Sequence, residues 1–321
     1  MIKKLLDFID KLGERLFSST YQMQRILVLT GIVLVVVAAS FAGYYYYDRY
    51  YRPQPKVAEM GLAEAEQAVR DNPNDPDKRL VLAETYLVNR RFDDALTIAN
   101  QVMANYPENQ HAWLLVGVVN NLKGNYQDAV GPLQKYYDAN KETDMPGLNK
   151  ALQSATYYLG DSYLKLNELD KAVPVLEMSV KWTQTDSDAI YKLGMAYIGI
   201  KKYEQAVTQF QNATLFVPNF TEAYEGMATA FEALNDTDYA GYARGMVAYS
   251  KKDYKTALDL LLKAAQAKPD FIPVFNGLGL TYEATDDLKN AKLSYEMATK
   301  LSSNDYTATT GLQRVNALLN K

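Results

Sequence analysis

Few side chains in this sequence could do chemistry. His111 is the single histidine and there is no cysteine, so a thiol nucleophile, a Cys/His metal centre and a disulfide are excluded. Two carboxylate pairs stand side by side, Asp93 with Asp94 and Asp286 with Asp287. Both fall at turns or helix starts, where acids cap free amides and favour the helix dipole without any chemical role. No phosphate-cradling glycine loop, dinucleotide fingerprint or nucleophile elbow occurs. His111 takes an exposed helical position and reads as a solvated side chain. The expectation is therefore no enzyme, no cofactor and no metal. What remains is contact chemistry, carried by 26 tyrosines and 10 methionines. Tyrosine brings large contact area at low entropic cost, and methionine adapts to varied shapes.

The elements that must position these residues follow a 34-residue period. Its clearest unit begins at Ser187: Ile190, Leu193, Gly194 and Tyr197 lie on one predicted helix, Tyr203, Ala206, Phe210 and Ala213 on the next, and Pro218 closes it. A unit from Pro76 gives Leu82, Ala83, Tyr86, Phe92, Ala95 and Pro107. The same offsets recur from Gln110 (Trp113, Val116, Gly117, Tyr126, Ala129, Leu133) and from Gln153 (Leu159, Gly160, Tyr163, Leu169, Ala172, Leu176). They recur again from Asp238 (Gly245, Tyr254, Ala257, Leu261, Ala264, Pro269) and from Ile272 (Phe275, Leu278, Gly279, Tyr282, Leu288, Ala291, Tyr295, Ala298). Small residues let paired helices cross closely, large ones fill the groove beside them, and proline ends the second helix. A period of this size specifies stacked helical hairpins.

These units resemble tetratricopeptide repeats. The resemblance implies an all-α, right-handed solenoid of antiparallel helix pairs, with the first helix of each pair lining a concave face. It also implies protein or peptide binding without catalysis. Offsets 2, 5, 9 and 12 of the first helices then supply the candidate contact residues Leu114, Val118, Tyr157, Asp161, Tyr191, Met195, Tyr242, Met246 and Tyr249. Members that clamp acidic chain termini carry basic residues on this face. Here the first full unit holds Leu80 and Glu84 instead, so an apolar helix, a strand or an extended segment suits the groove better.

Irregular steps add detail. Residues 56–75 read as a half repeat, and the solenoid is expected over 56–305 with a polar capping helix at 306–321. The step from 110 to 153 is nine residues too long, with the insertion expected between Asp138 and Pro146. The step from 221 to 238 is half a period. It predicts three successive helices with one pair member missing, and an exchange of inner and outer roles beyond it.

The front of the chain differs in kind. Residues 26–47, beginning ILVLTGIVLVVVAASFAG, are long and apolar enough to span a bilayer core of ~30 Å. A linker over 48–55 follows. Tyr44, Tyr45, Tyr46, Tyr47, Tyr50 and Tyr51, with Arg49 and Arg52, suit the membrane interface. A cleaved signal is the rival reading, with small residues between Ala38 and Gly43, but 25 residues precede the apolar run. Five basic residues before the span (Lys3, Lys4, Lys11, Arg15, Arg25) face three just after it (Arg49, Arg52, Lys56). This leans towards a cytoplasmic N-terminus and an extracytoplasmic solenoid. Residues 1–25 carry Ile2, Leu5, Leu6, Ile9, Leu12, Leu16 and Phe17 at helical spacing, an amphipathic segment for the membrane surface or a partner.

Charge narrows the partners. The sequence has 34 basic and 38 acidic residues, and seven and four of them precede residue 54, which leaves the remainder at −7. That is a poor surface for nucleic acid. Proteins or peptides of a membrane complex, the bilayer through 26–47, and a second copy of the chain are the expected partners. The leading expectation is a membrane-anchored scaffold or adaptor. The alternative is a stoichiometric structural subunit of a large membrane complex or self-associating assembly.

Overall fold

The computed structural model describes residues 57–320, with side chains from Gly61 onward, so the apolar segment 26–47, its tyrosine flank and the segment 1–25 lie outside the described residues. Fifteen α-helices follow one another and no strand occurs among the described residues. They are α1 (Val57–Asp71), α2 (Pro76–Val88), α3 (Phe92–Asn105), α4 (Gln110–Leu122) and α5 (Tyr126–Asn140). After a 3₁₀ turn at Pro146–Leu148 come α6 (Lys150–Lys165), α7 (Leu169–Trp182), α8 (Ser187–Gly199), α9 (Tyr203–Phe216) and α10 (Thr221–Ala233). The last five are α11 (Thr237–Ser250), α12 (Tyr254–Ala267), α13 (Ile272–Ala284), α14 (Leu288–Leu301) and α15 (Tyr306–Leu319). No described helix is long and apolar enough to cross a membrane.

Side-chain caps start several of the helices. Asp75, Asn109, Asn149, Asp186 and Asp305 accept hydrogen bonds from the first free amides of the helices they precede. The tight turn inside each hairpin passes through one residue in the left-handed region: Arg90, Gly124, Asn167, Lys201, Asn235, Lys252 and Asp286, at φ between 57° and 82°. Between hairpins the chain instead leaves the second helix at negative φ, −132° at Tyr106, −127° at Val217 and −128° at Lys268.

Close crossings are made by glycine against a large partner. A Cβ on Gly194 would lie 2.7 Å from the Phe210 ring, and one on Gly226 of the next hairpin 2.5 Å from the same ring. Phe210 is fully buried between them. Tyr295 is held in the same way between Gly279 and Gly311. Each such aromatic therefore joins its own hairpin to the next, which is how a solenoid builds one core from units too small to have their own.

The half-period step produces a change of layer. Up to α10 the even helices α2, α4, α6, α8 and α10 touch in sequence and form one layer. Beyond it the contacts pass to odd helices, α11 with α13 and α13 with α15. The left-handed residues carry the cause, because Asn235 and Lys252 are 17 positions apart where every other step is a full unit or longer. α11 thus enters by a hairpin turn and leaves by another, so it is the second helix for α10 and the first for α12. The three successive helices expected at this point are present, with the exchange of roles after them.

The insertion differs slightly from expectation. α5 runs on to Asn140, whose side-chain amide donates to the Tyr136 carbonyl, so the added stretch is 141–149 and not 138–146. α6 starts at Lys150, three residues ahead of the expected start at 153, because Asn149 caps it by accepting from the Leu152 amide. α15 is not polar all round, since it buries Ala308, Gly311 and Val315.

Candidate functional site

Six of the nine candidate contact residues share the even layer. Leu114 and Val118 stand on α4, Tyr157 and Asp161 on α6, Tyr191 and Met195 on α8. Leu114, Tyr157, Tyr191 and Met195 are half-buried and present surface, whereas Val118 and Asp161 are buried. Tyr157 stacks edge-on against Tyr158 at 5.0 Å, and Tyr191 leans on Phe220 at 5.1 Å. A cleft of about 380 Å³ opens beside Tyr191 and Met195, walled by Leu164, Lys165, Asn167 and Lys192.

Beneath this face runs a polar lattice. Asp161 Oδ1 accepts from Lys192 Nζ at 2.6 Å, and its Oδ2 accepts from Asn121 Nδ2 at 3.0 Å. Asn121 Nδ2 also lies 2.9 Å from Ser162 Oγ, which in turn donates to the Tyr158 carbonyl. The carboxylate side chain is 9 % exposed and the lysine 18 %, so the pair is largely shielded from water. Three successive helices of the even layer, α4, α6 and α8, are thereby tied together. Asp161 is therefore buried and paired beneath the tyrosines. Burial, then the nearby carboxylates, holds the Tyr157 phenol well above its ordinary titration range.

The other three candidates do not continue that face. Tyr242, Met246 and Tyr249 all stand on α11, and the first two are buried. The layer change is the reason, because α10, α12 and α13 all pack on α11, and a Cβ on Gly277 would lie 2.7 Å from Met246 Sδ. Tyr242 is enclosed by Tyr224 and by Phe271 at 4.9 Å, and burial raises its phenol strongly. Together Tyr242 and Met246 form the floor of a separate cleft of about 510 Å³ between the end of α9 and α15. Tyr249 is half-buried and sits 6.0 Å from Tyr254.

The cleft has an unusual polar group. Asn276 Nδ2 donates to Asp305 Oδ1 at 3.0 Å, while its Oδ1 is buried without a partner. Reversing the amide would set two acceptors against each other, so the orientation is determined. An unpaired buried acceptor costs about 1–3 kcal/mol. Nearby, Arg314 is held by both oxygens of Glu283 at 2.9 Å, which also accepts from the Tyr295 hydroxyl.

His111 is not simply solvated. Its Nε2 lies 2.7 Å from Glu84 Oε1, and that hydrogen bond raises its pKa from the ordinary 6.5. Among the described residues no group of three or more carboxylates and histidines could hold a metal ion. The residues that offsets alone did not reveal are Lys192, Asn121 and Asn276. Each is an unremarkable polar residue in sequence, and only its buried partner, or the lack of one, marks it.

Tetratricopeptide-repeat models match residues 80–142, 188–217 and 272–305, so the chain carries this repeat. Similar solved structures include a chain of the Cut9–Hcn1 hetero-tetramer of the APC/C, at 16% identity and TM-score 0.44, matching 81% of this chain. This chain spans 46% of that one's length. YrrB, described as a TPR protein with an unusual peptide-binding site, is 19% identical with a TM-score of 0.48, over 66% of this chain and 96% of its own. MamA (residues 41 to the end) from Desulfovibrio magneticus RS-1 is 20% identical with a TM-score of 0.49, over 56% of this chain and 97% of its own. No curated protein matches the sequence. None of these likenesses says what this chain binds.

Proposed function

We propose that this repeat chain is a membrane-tethered scaffold that holds other proteins beside the bilayer, on the extracytoplasmic side. Tetratricopeptide repeats mediate protein–protein interaction. The observation that carries the reading is the face of Leu114, Tyr157, Tyr191 and Met195. These large side chains are left half-exposed on helices that the Asn121–Asp161–Lys192 lattice ties together. A pre-organised aromatic and methionine surface binds without first ordering itself. The apolar span 26–47 supplies the tether, and its flanking charges favour this orientation. Confinement to a thin layer raises effective concentration without any added contact.

A second reading is favoured by a different feature. Leu293, Met297 and Leu301 form an exposed i, i+4, i+8 stripe along α14. Such a stripe suits permanent burial in an assembly, so a stoichiometric structural subunit is the alternative. One experiment separates the two. The full-length protein is extracted from its native membrane in mild detergent, the intact particle is weighed and co-purifying chains are identified by mass spectrometry. Companions below unit ratio, lost on Tyr157→Ala with Tyr191→Ala, support the scaffold. A fixed-ratio complex indifferent to those changes supports the structural subunit, and a bare chain with no companions overturns both.

A further inference from the structure

The tyrosine face is one-sided in charge. Offsets 2, 5, 9 and 12 of α2, α4, α6, α8 and α10 hold seven carboxylates and neither lysine nor arginine. Four are answered by a basic group of the chain: Glu84 by His111, Asp161 by Lys192, Glu225 by Lys251 and Glu232 by Arg244. The other three, Asp77, Asp188 and Glu222, are exposed and have no ion pair among the described residues. The helix dipole favours acids within the first turn, where these three stand. It does not explain the four at later offsets, each of which draws a cation onto this face.

Tyr157 shows how a cation is held here. Lys192 Nζ stands 5.4 Å from the centre of its ring and 2.6 Å from Asp161 Oδ1, so the ring and the carboxylate share one ammonium. Tyr191 has the same offset one unit further on, and no cation stands over its ring among the described residues. Its ring leans on Phe220 at 5.1 Å, just ahead of α10, and Glu222 is the charge that acts most on its phenol, followed by Glu225. The same ring also walls the cleft that Leu164 and Met195 line. Lys165 stands in that cleft wall too, and would repel a cation placed in the cleft itself. The two sides of Tyr191 therefore differ: a carboxylate on one, an apolar cleft on the other. We propose that Tyr191 and Glu222 form a cation-binding subsite, and that the segment this face takes from a partner protein carries an arginine or lysine beside a large apolar side chain. Arginine suits it best, because the flat guanidinium can lie on the ring while its N–H groups donate to the carboxylate. An acidic segment would be repelled by the unpaired carboxylates.

The proposal rests on the reading of the chain as an interaction scaffold, and the test keeps the two apart. Full-length protein in detergent micelles carries labelled methionine methyl groups, with Met195 beside the subsite and the buried Met246 as the control. The probes are the capped peptide Ala-Arg-Leu-Ala, its citrulline-for-Arg form, which keeps the shape without the charge, and its Glu-for-Arg form. Saturable shifts at Met195 are expected with the arginine peptide, with binding about tenfold weaker for citrulline and none for Glu. Glu222→Gln should weaken the arginine peptide about threefold and leave the citrulline peptide unchanged, with Met246 and the helix content unaltered. Equal binding of the arginine and citrulline peptides, or preference for the Glu form, overturns the cation subsite and leaves the scaffold reading intact. Silence at Met195 with all three peptides also overturns the subsite, and the scaffold reading then stands or falls on the native extraction alone.

Discussion

Lys192 Nζ on α8 lies 2.6 Å from Asp161 Oδ1 on α6, and 5.4 Å from the centre of the Tyr157 ring. One ammonium thus ties two repeats together directly beneath the surface that we assign to partner binding. Both charges are mostly withdrawn from water, so each depends on the other.

Asp161→Ala should accordingly destabilise the solenoid by about 3 kcal/mol, since it strands a shielded lysine. The double change Asp161→Leu with Lys192→Met should cost less than the single one, because no lone charge is left. Urea midpoints of the three proteins decide it, and a double variant weaker than Asp161→Ala would show that the pair itself is net stabilising.

Gly194→Ala places a methyl where Phe210 already stands, 2.7 Å away. The same ring is pressed from the other side by Gly226, so it has little room to yield. A loss of about 1–3 kcal/mol is expected. Measuring Gly194→Ala again in a Phe210→Leu background should shrink the loss, and an unchanged penalty there would place the strain elsewhere.

The His111–Glu84 pair makes a small pH signature. Its folded pKa is raised, so the stability it contributes is fully present below 6.5 and fades as pH rises through the folded value. Both side chains are more than a third exposed, which holds the effect below about 1 kcal/mol. Glu84→Gln should flatten the difference in urea midpoint between about pH 6 and pH 8.

Buried phenols set an alkaline limit. Burial pushes Tyr224 up to about 12, and raises Tyr157, Tyr242 and Tyr295 as well. The folded state therefore keeps protons that the unfolded chain releases from 10 upward, and stability falls as pH climbs past that value. Phenolate absorbance should appear in two waves, the second coinciding with loss of helical circular dichroism. A single wave near 10 without unfolding would mean these rings are open to water.

Much of the architecture was legible because it is periodic. The offsets of Gly194 and Phe210, or of Gly279 and Tyr295, recur with the unit, and steric fit needs only residue size. Even the irregular junction could be read, since a half-period between 221 and 238 leaves a helix without its pair. The contact residues were less legible. Offsets placed Tyr157 and Tyr191 on a presenting face, but the same rule applied to Tyr242 and Met246 named residues that α10, α12 and α13 enclose. The rule assumes that first helices stay in one layer, and α11 is where they leave it.

The sequence by itself determined an all-helical chain of hairpins, the places where its turns fall, and the absence of thiol chemistry, because these follow from residue size, proline and glycine positions and composition. Tertiary structure alone decided that Asp161 is buried, that Lys192 and Asn121 hold it, and that Asn276 keeps a buried acceptor unpaired. Those facts depend on which groups from distant repeats meet, and on whether water reaches them, and neither is a property of local spacing.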